Sequence, residues 1–160
     1  MDPLNADQGT TTHDVVSGGG VEYLGPGDVY VYEYDGSGAW ALAERIQPSG
    51  VAQEGWGLTA AIGGDVLVLG VAQSSASKKL PAYVYVYRRH GTSWTEEARL
   101  TPPGDAEAKI LSGTVSVRGK TIAIGDYCYK NESAGRVFIY KFDPSSKSWN
   151  PVDGDLCSKS

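Results

Sequence analysis

Two histidines and one adjacent pair of glutamates come nearest to a catalytic pattern in this sequence. Carboxylates and imidazoles act as general acids and bases when they converge on one substrate. Glu96 and Glu97 are neighbours in a predicted strand, where successive side chains point to opposite faces of the sheet. His13 lies in a small, polar N-terminal segment and His90 in a predicted turn, away from any evident nucleophile. The sequence therefore predicts no catalytic residues and a protein that is not an enzyme.

The nearest approach to a cofactor-binding motif is the glycine-rich run Ser-Gly-Gly-Gly at 17–20. Glycine-rich loops hold phosphate where they lead into the N-terminus of a helix. No helical pattern follows this run, so the sequence predicts no nucleotide and no other cofactor.

Charge and hydropathy exclude two classes of partner. The 160 residues carry a formal net charge of −5, whereas a nucleic-acid-binding surface is basic. No apolar run reaches the roughly 18 residues of a membrane helix, so we expect neither nucleic-acid binding nor a membrane span. Residues 1–13 and 153–160 are polar and are predicted to be disordered tails. The first of them lacks the basic and apolar regions of a secretory signal.

A period of 54 to 55 residues organises the chain. Trp40 and Trp94 are 54 residues apart, and Trp94 and Trp149 are 55 apart. A tyrosine- and valine-rich run precedes each tryptophan: VYVYEY at 29–34, VYVYRR at 84–89 and VFIYKF at 137–142. Two further runs, each divided by a glycine turn, lie one period apart at 58–70 and 113–125.

Each period predicts four short strands and no helix. The run from Tyr83 to Tyr87 would point tyrosines to one face of its sheet and valines to the other, so both faces need an apolar cover. Repeats of about 40–50 residues with four strands are typical of β-propeller blades, each of which lies between two neighbours. The predicted fold is all-β, with four-stranded antiparallel blades.

On these motifs the chain resembles the calcium-free subgroup of the FG-GAP repeat family, whose integrin α-subunit members form seven-bladed propellers. Trp56-Gly57 stands at the family's Phe-Gly position, and the stretch AYVYVYRRHGTSW at 82–94 matches the family's Tyr/Val strand and Trp turn closely. Ser112-Gly113 replaces the next aromatic-Gly pair, and no Gly-Ala-Pro triplet is intact.

The resemblance implies a particular division of the chain and a location. It implies FG-GAP-like blades across 14–152, with a partial blade at 14–48 and whole blades at 55–102 and 110–152. It also implies an extracellular or cell-surface protein. In calcium-binding members of the family, the first hairpin of a blade carries acidic ligands, and the ion needs six to eight oxygens. Here those hairpins offer Asp65 and Lys120, so no metal site is predicted.

Long loops are predicted to lie together on one face of the fold, at 47–55, 71–81, 101–112 and 126–135. Binding surfaces concentrate on such loops. We therefore predict binding residues at Tyr127, Tyr129 and Lys130, although either tyrosine could instead pack against its blade. Asn131 begins an Asn-Glu-Ser glycosylation pattern. Cys128 and Cys157 emerge on the same face and could form a disulfide or remain free thiols.

Three functions fit these features. The leading hypothesis, implied by the resemblance, is a non-enzymatic propeller module that binds a protein or carbohydrate ligand or mediates adhesion. The alternative is a structural fragment that completes a larger propeller, by oligomerisation or within a longer chain; a hydrolase-type propeller enzyme is the third. About three blades form only a partial, open propeller, because closed propellers have typically four to eight. We expect bare outer faces near 29–48 and 136–152, exposing Tyr, Val, Ile and Phe, and hence self-association.

Overall fold

The computed structural model describes residues 13–16, 20–23, 28–48, 56–71, 83–101, 114–126, 136–152 and 156–157. Within them the chain forms thirteen strands and no helix: β1 His13–Val16, β2 Gly20–Tyr23, β3 Val29–Tyr34, β4 Trp40–Ile46, β5 Trp56–Gly63, β6 Val66–Val71, β7 Val84–His90, β8 Ser93–Leu100, β9 Thr114–Arg118, β10 Thr121–Asp126, β11 Arg136–Asp143, β12 Ser148–Pro151 and β13 Leu156–Cys157. The all-β prediction is confirmed. In this described part of the chain, no helix is long and apolar enough to cross a membrane.

The strands form four antiparallel sheets. Strands β1 and β2 pair with each other, as do β3 and β4, which we call the half sheet. Strands β5 to β8 form the central sheet and β9 to β12 the last sheet, each in chain order, and β13 also pairs with β11. The predicted partial blade at 14–48 is thus divided between two separate hairpins. The sequence did not predict β2 and β13 as strands, and β1 and β13 both begin within segments predicted as tails.

Tight turns fix the strand register at equivalent places. Gly64 and Gly119 lie one 55-residue period apart, in the turns from β5 to β6 and from β9 to β10, and have φ angles of 65° and 57°. Only glycine adopts such positive angles without strain. A second feature repeats in the same way: the pairing slips by one residue between Val31 and Tyr32, and again between Val86 and Tyr87. Both features support the period read from the tryptophans.

Strands β6 and β7 of the central sheet are buried on both faces, which accounts for their continuous apolar runs. On one face its valines pack against the last sheet, in a cluster of Val66, Val68, Val84, Val86, Leu100, Ile122, Ile124, Phe138, Tyr140 and Trp149. On the other face the leucines of β6, together with Val71 and the aromatic residues, pack against the half sheet, in a cluster of Val31, Ile46, Trp56, Leu67, Leu69, Val71, Tyr85, Tyr87 and Trp94. The tyrosines and valines of β7 therefore serve different clusters.

The three sheets stack with equivalent strands over one another. Strand β9 lies against β5 and β6, and β8 lies between β4 on one side and β12 on the other. The order through the stack is half sheet, central sheet, last sheet. In the central and last sheets, Trp94 and Trp149 and the aromatic residues of β7 and β11 point toward the preceding sheet in this order.

The two outer faces of the stack differ, which corrects one expectation. The half sheet exposes large aromatic side chains, as predicted for 29–48. At 136–152 the prediction is wrong for the aromatic residues, because Phe138 and Tyr140 point inward and are only 3% exposed. The outer side of the last sheet carries smaller or charged residues, including Ala123 and Lys141. The alternation of side chains along β11 explains this, since it places Phe138 and Tyr140 on the side that faces the central sheet.

Candidate functional site

An aromatic face covers the outer side of the half sheet. We define it by five residues on that side of β3 and β4: Tyr30, Tyr32, Tyr34, Trp40 and Leu42. Pairing places Tyr32 opposite Leu42 and Tyr34 opposite Trp40, so these side chains share one side of the hairpin. The last four are 44%, 54%, 69% and 53% exposed in the order of this definition. Contiguous exposed apolar surface is common at interaction sites, so this face is the candidate site.

The rings of this face are held in place at both ends. The ring centroids of Tyr34 and Trp40 are 5.5 Å apart with the ring planes tilted by 54°. At the other end, the Arg45 guanidinium lies 5.7 Å from the Tyr30 ring centroid. Arg45 Nε also donates a hydrogen bond of 3.1 Å to Asp28 Oδ2. The face is therefore an apolar platform with a partly neutralised cation at one edge.

Asp35 fixes the hairpin tip between Tyr34 and Trp40. Its carboxylate accepts hydrogen bonds from the backbone N–H groups of Ser37, at 2.7 Å, and Ala39, at 3.2 Å. These bonds, the one from Ser37 first, lower the pKa of Asp35 below its ordinary value. The tip thus carries an ionised carboxylate beside the exposed indole.

The same aromatic positions are interior in the next two copies of the repeat. One and two periods after Tyr30, Tyr32 and Trp40 come Tyr85, Tyr87 and Trp94, then Tyr140, Phe142 and Trp149. Five of these six later residues are buried and Phe142 is partly buried, in every case against the preceding sheet. The aromatic face is therefore the exposed counterpart of two packed interfaces.

At both packed interfaces a glutamate of the preceding sheet contacts the tryptophan. Glu44 Oε2 accepts a hydrogen bond of 2.7 Å from the backbone N–H of Trp94. Glu97 Oε2 accepts one of 2.9 Å from the Trp149 indole Nε1. Trp40 receives no such carboxylate from the residues that the structure describes.

The densest group of charges lies between the central and last sheets. Arg88 pairs with Asp65 at 3.1 Å and with Glu97 at 2.9 Å, and its guanidinium lies 4.8 Å from the Phe142 ring centroid. Asp65 is thus a partner of an arginine. Across the described ranges, no group of three or more His, Cys, Asp and Glu residues could hold a metal ion. This cluster joins two sheets and presents no nucleophile.

The acid–base candidates lie apart from one another. Glu97 faces the last sheet, where it contacts Trp149. Glu96 lies opposite Tyr87, on the face toward the half sheet, and pairs with Arg99. The two glutamates therefore point to opposite faces, as predicted. His90 is exposed at the end of β7.

The predicted binding and modification residues lie mostly outside the described part of the chain. These are Tyr127, Cys128, Tyr129, Lys130 and Asn131; of the predicted set only Cys157 is described, as a β13 residue paired with Arg136. The aromatic face was predicted as bare surface but not as a binding site. The available signal was the recurrence of Tyr30, Tyr32 and Trp40 at buried positions one period later.

No protein-family model matches the chain, and no curated protein matches it.

Proposed function

We propose that the chain is a non-enzymatic module of β-propeller type, similar to FG-GAP repeats, which binds a protein or a glycan. The observation that carries this proposal is the aromatic face, exposed on a hairpin whose other side is packed against the central sheet. Tyrosine and tryptophan supply large, rigid contact areas with a polar tip, which is why they are enriched in binding surfaces. Binding through this face requires no catalytic residue.

The blade assignment is supported by the way in which the sheets stack. Each complete sheet is a four-stranded antiparallel meander, and the central one is covered on both faces by its neighbours. Equivalent strands overlie one another from sheet to sheet. A propeller arranges its blades in this manner around an axis.

The second candidate is a structural fragment that completes a larger propeller, by oligomerisation or within a longer chain. The observation that favours it is the burial of Tyr85, Tyr87 and Trp94, the counterparts of exposed residues in the half sheet. On this hypothesis, a sheet from another copy or from a longer chain would cover the exposed rings. A hydrolase role remains the third hypothesis. The adjacent pair Glu96 and Glu97 gives it no support, because each of these glutamates is paired with an arginine.

A glycan array with defined oligosaccharides tests the glycan part of the proposal. The chain is applied in dilute solution, where self-association does not cover the aromatic face. We expect the labelled chain to bind, Trp40→Ser to weaken that binding at least ten-fold, and Ile62→Ser to leave it unchanged. Ile62 is the matched control, because it is 57% exposed and apolar but lies on β5, outside the aromatic face. Binding that Trp40→Ser leaves intact, or cleavage of the arrayed sugars, contradicts the proposal.

A further inference from the structure

Among the described residues, no sheet covers either end of the stack. The two ends correspond to the two sides of the interfaces inside the stack. One end is the aromatic face. The other end, which we call the tail face, is the outer side of the last sheet and comprises Thr121, Ala123, Val137, Ile139 and Lys141. One period earlier, the central sheet has Val66, Val68, Val84 and Val86 at four of these five positions. Those valines pack against the aromatic residues of the last sheet. The tail face therefore corresponds to the side of the central sheet that packs against aromatic residues of the next sheet.

We propose that two copies of this chain close head to tail, with the tail face of each copy packed on the aromatic face of the other. This inference rests on the proposed function, in that it treats the sheets as propeller blades and the aromatic face as the binding surface. The partner is thus a second copy of the same chain. Three sheets from each copy, one of them the two-stranded half sheet, make a ring of six, within the usual range of about four to eight blades.

The residues of the tail face suit an aromatic partner. Ala123 and Ile139 are paired across β10 and β11 and are both half-buried, so they form a small aliphatic centre. Lys141 is exposed beside them. Its aliphatic stem can cover apolar surface while its ammonium lies over a tyrosine ring.

A polar contact between the half sheet and the central sheet also has an equivalent where the two copies would meet. Glu33 of the half sheet forms an ion pair with Arg89 of the central sheet. Two periods after Glu33 comes Asp143, and one period before Arg89 comes Tyr34. The joint would therefore bring the Asp143 carboxylate to the Tyr34 hydroxyl. Asp143 accepts bonds from Ser145 and Ser146, and a carboxylate has about four acceptor sites, so capacity remains.

Area and symmetry favour a closed pair over a single joint. The three exposed rings of Tyr32, Tyr34 and Trp40 present roughly 330 Å². One joint of that size is smaller than a stable interface, which buries about 800 Å² per partner. A head-to-tail joint either closes or polymerises, and closure with two copies forms two identical joints under two-fold symmetry. The second joint then forms within the complex, which strengthens both.

Sedimentation velocity and tryptophan quenching of the full chain test the inference. We expect the wild type to reach twice the 17.0 kDa mass of one chain as its concentration rises. Trp40 is the exposed tryptophan, while Trp56, Trp94 and Trp149 are at most 7% exposed. Quenching by acrylamide should therefore fall as the dimer forms. A wild type that stays monomeric with Trp40 fully quenched overturns the inference, while the glycan test of the proposed function still stands.

Variants of the two faces establish which surfaces meet. Trp40→Glu on the aromatic face and Ala123→Lys on the tail face should each weaken dimerisation at least ten-fold, and Ile62→Ser should not. Circular dichroism verifies that each variant folds, and Lys141→Glu replaces Ala123→Lys if that variant does not.

A mixture of the two face variants decides between head-to-tail and face-to-face association. One intact joint can form between the tail face of Trp40→Glu and the aromatic face of Ala123→Lys. We expect the mixture to dimerise, more weakly than wild type, at concentrations where neither variant does so alone. If Ala123→Lys dimerises as wild type does and the mixture gains nothing, the aromatic faces meet each other and the inference is wrong.

Discussion

Trp40, Trp94 and Trp149 hold equivalent positions in the repeat but have different surroundings. Trp94 and Trp149 are 6% and 7% exposed, whereas Trp40 is 69% exposed. Replacing a buried tryptophan by alanine costs about 3–5 kcal/mol, so we expect costs of that size for Trp94→Ala and Trp149→Ala. Trp40→Ala should change the free energy of unfolding by less than about 0.5 kcal/mol. Denaturant titration in dilute protein measures all three, and a large loss at Trp40 would mean that the aromatic face is already covered.

Two buried tyrosines differ in what their hydroxyl groups contact. The Tyr140 hydroxyl donates to the carbonyl oxygen of Thr101, whereas the Tyr87 hydroxyl has no hydrogen-bond partner among the residues that the structure describes. Removing an unpaired buried hydroxyl relieves a desolvation penalty, while removing a paired one costs about 1 kcal/mol. Tyr87→Phe should therefore leave stability unchanged or raise it, and Tyr140→Phe should lower it. Phe142, one period after Tyr87, already lacks the hydroxyl. Equal losses in thermal or urea unfolding would contradict this assignment.

The same two tyrosines predict a loss of stability in alkali. Burial raises the pKa of both Tyr87 and Tyr140 to about 12, against about 10 in the unfolded chain. Above pH 10 the unfolded state releases these protons while the folded state keeps them, so stability falls until the pH passes the folded pKa. We expect the urea midpoint to decline from about pH 10 upward. The double variant Tyr87→Phe/Tyr140→Phe should decline less steeply; an identical slope would show that other groups cause the loss.

At the scale of elements, the junction of β5 with β9 depends on a missing side chain. A Cβ atom at Gly63 would lie 2.9 Å from the Val117 carbonyl oxygen, which belongs to the backbone of β9. Gly63→Ala should therefore force the central and last sheets apart and cost about 1–3 kcal/mol. Arg118 holds the equivalent position one period later and is exposed, so Arg118→Ala is the matched control and should be nearly neutral. Thermal unfolding compares them, and two equal melting temperatures would refute the close approach.

The sequence predicted the elements where the period is strong. The tyrosine- and valine-rich runs, the tryptophans and the two runs divided by glycine turns located β3 to β12, because strand composition and turn glycines agree there. Strand β2, Gly-Val-Glu-Tyr, and β13, Leu-Cys, are too short to show a pattern. The separation of β1–β2 from β3–β4 depends on pairing, which an incomplete copy of the repeat does not specify.

The candidate site was predictable only in part, for a related reason. Bare surface near 29–48 followed from the incomplete stack of repeats. The inward direction of Phe138 and Tyr140 could not be predicted, because alternation along a strand separates two faces but does not show which neighbouring sheet each face contacts. That choice depends on the order of the sheets, which the contacts of Trp94 and Trp149 make visible.

At the scale of the whole molecule, the stack resembles a repeat array with unlike ends. Terminal units of such arrays are commonly capped by a polar outer face. The last sheet partly meets this description, with Thr121 and Lys141 at positions that hold valine in the central sheet. The half sheet does not, since it retains the aromatic row of an interior unit. Stability should therefore be uneven along the stack.

Hydrogen exchange measures that unevenness directly. Strands β6 and β7 are hydrogen-bonded on both edges and buried on both faces, so their amides should exchange the slowest and report global unfolding. Strands β3 and β4 form a two-stranded sheet with one exposed face, so their amides should exchange through local opening and faster. If the aromatic face receives the tail face of a second copy, protection of β3 and β4 should rise with protein concentration while that of β6 and β7 stays constant. Equal protection of both pairs of strands in dilute protein would show that the half sheet is not an open end. A sheet with one covered face and a free edge on each strand should protect its amides less than the central sheet does.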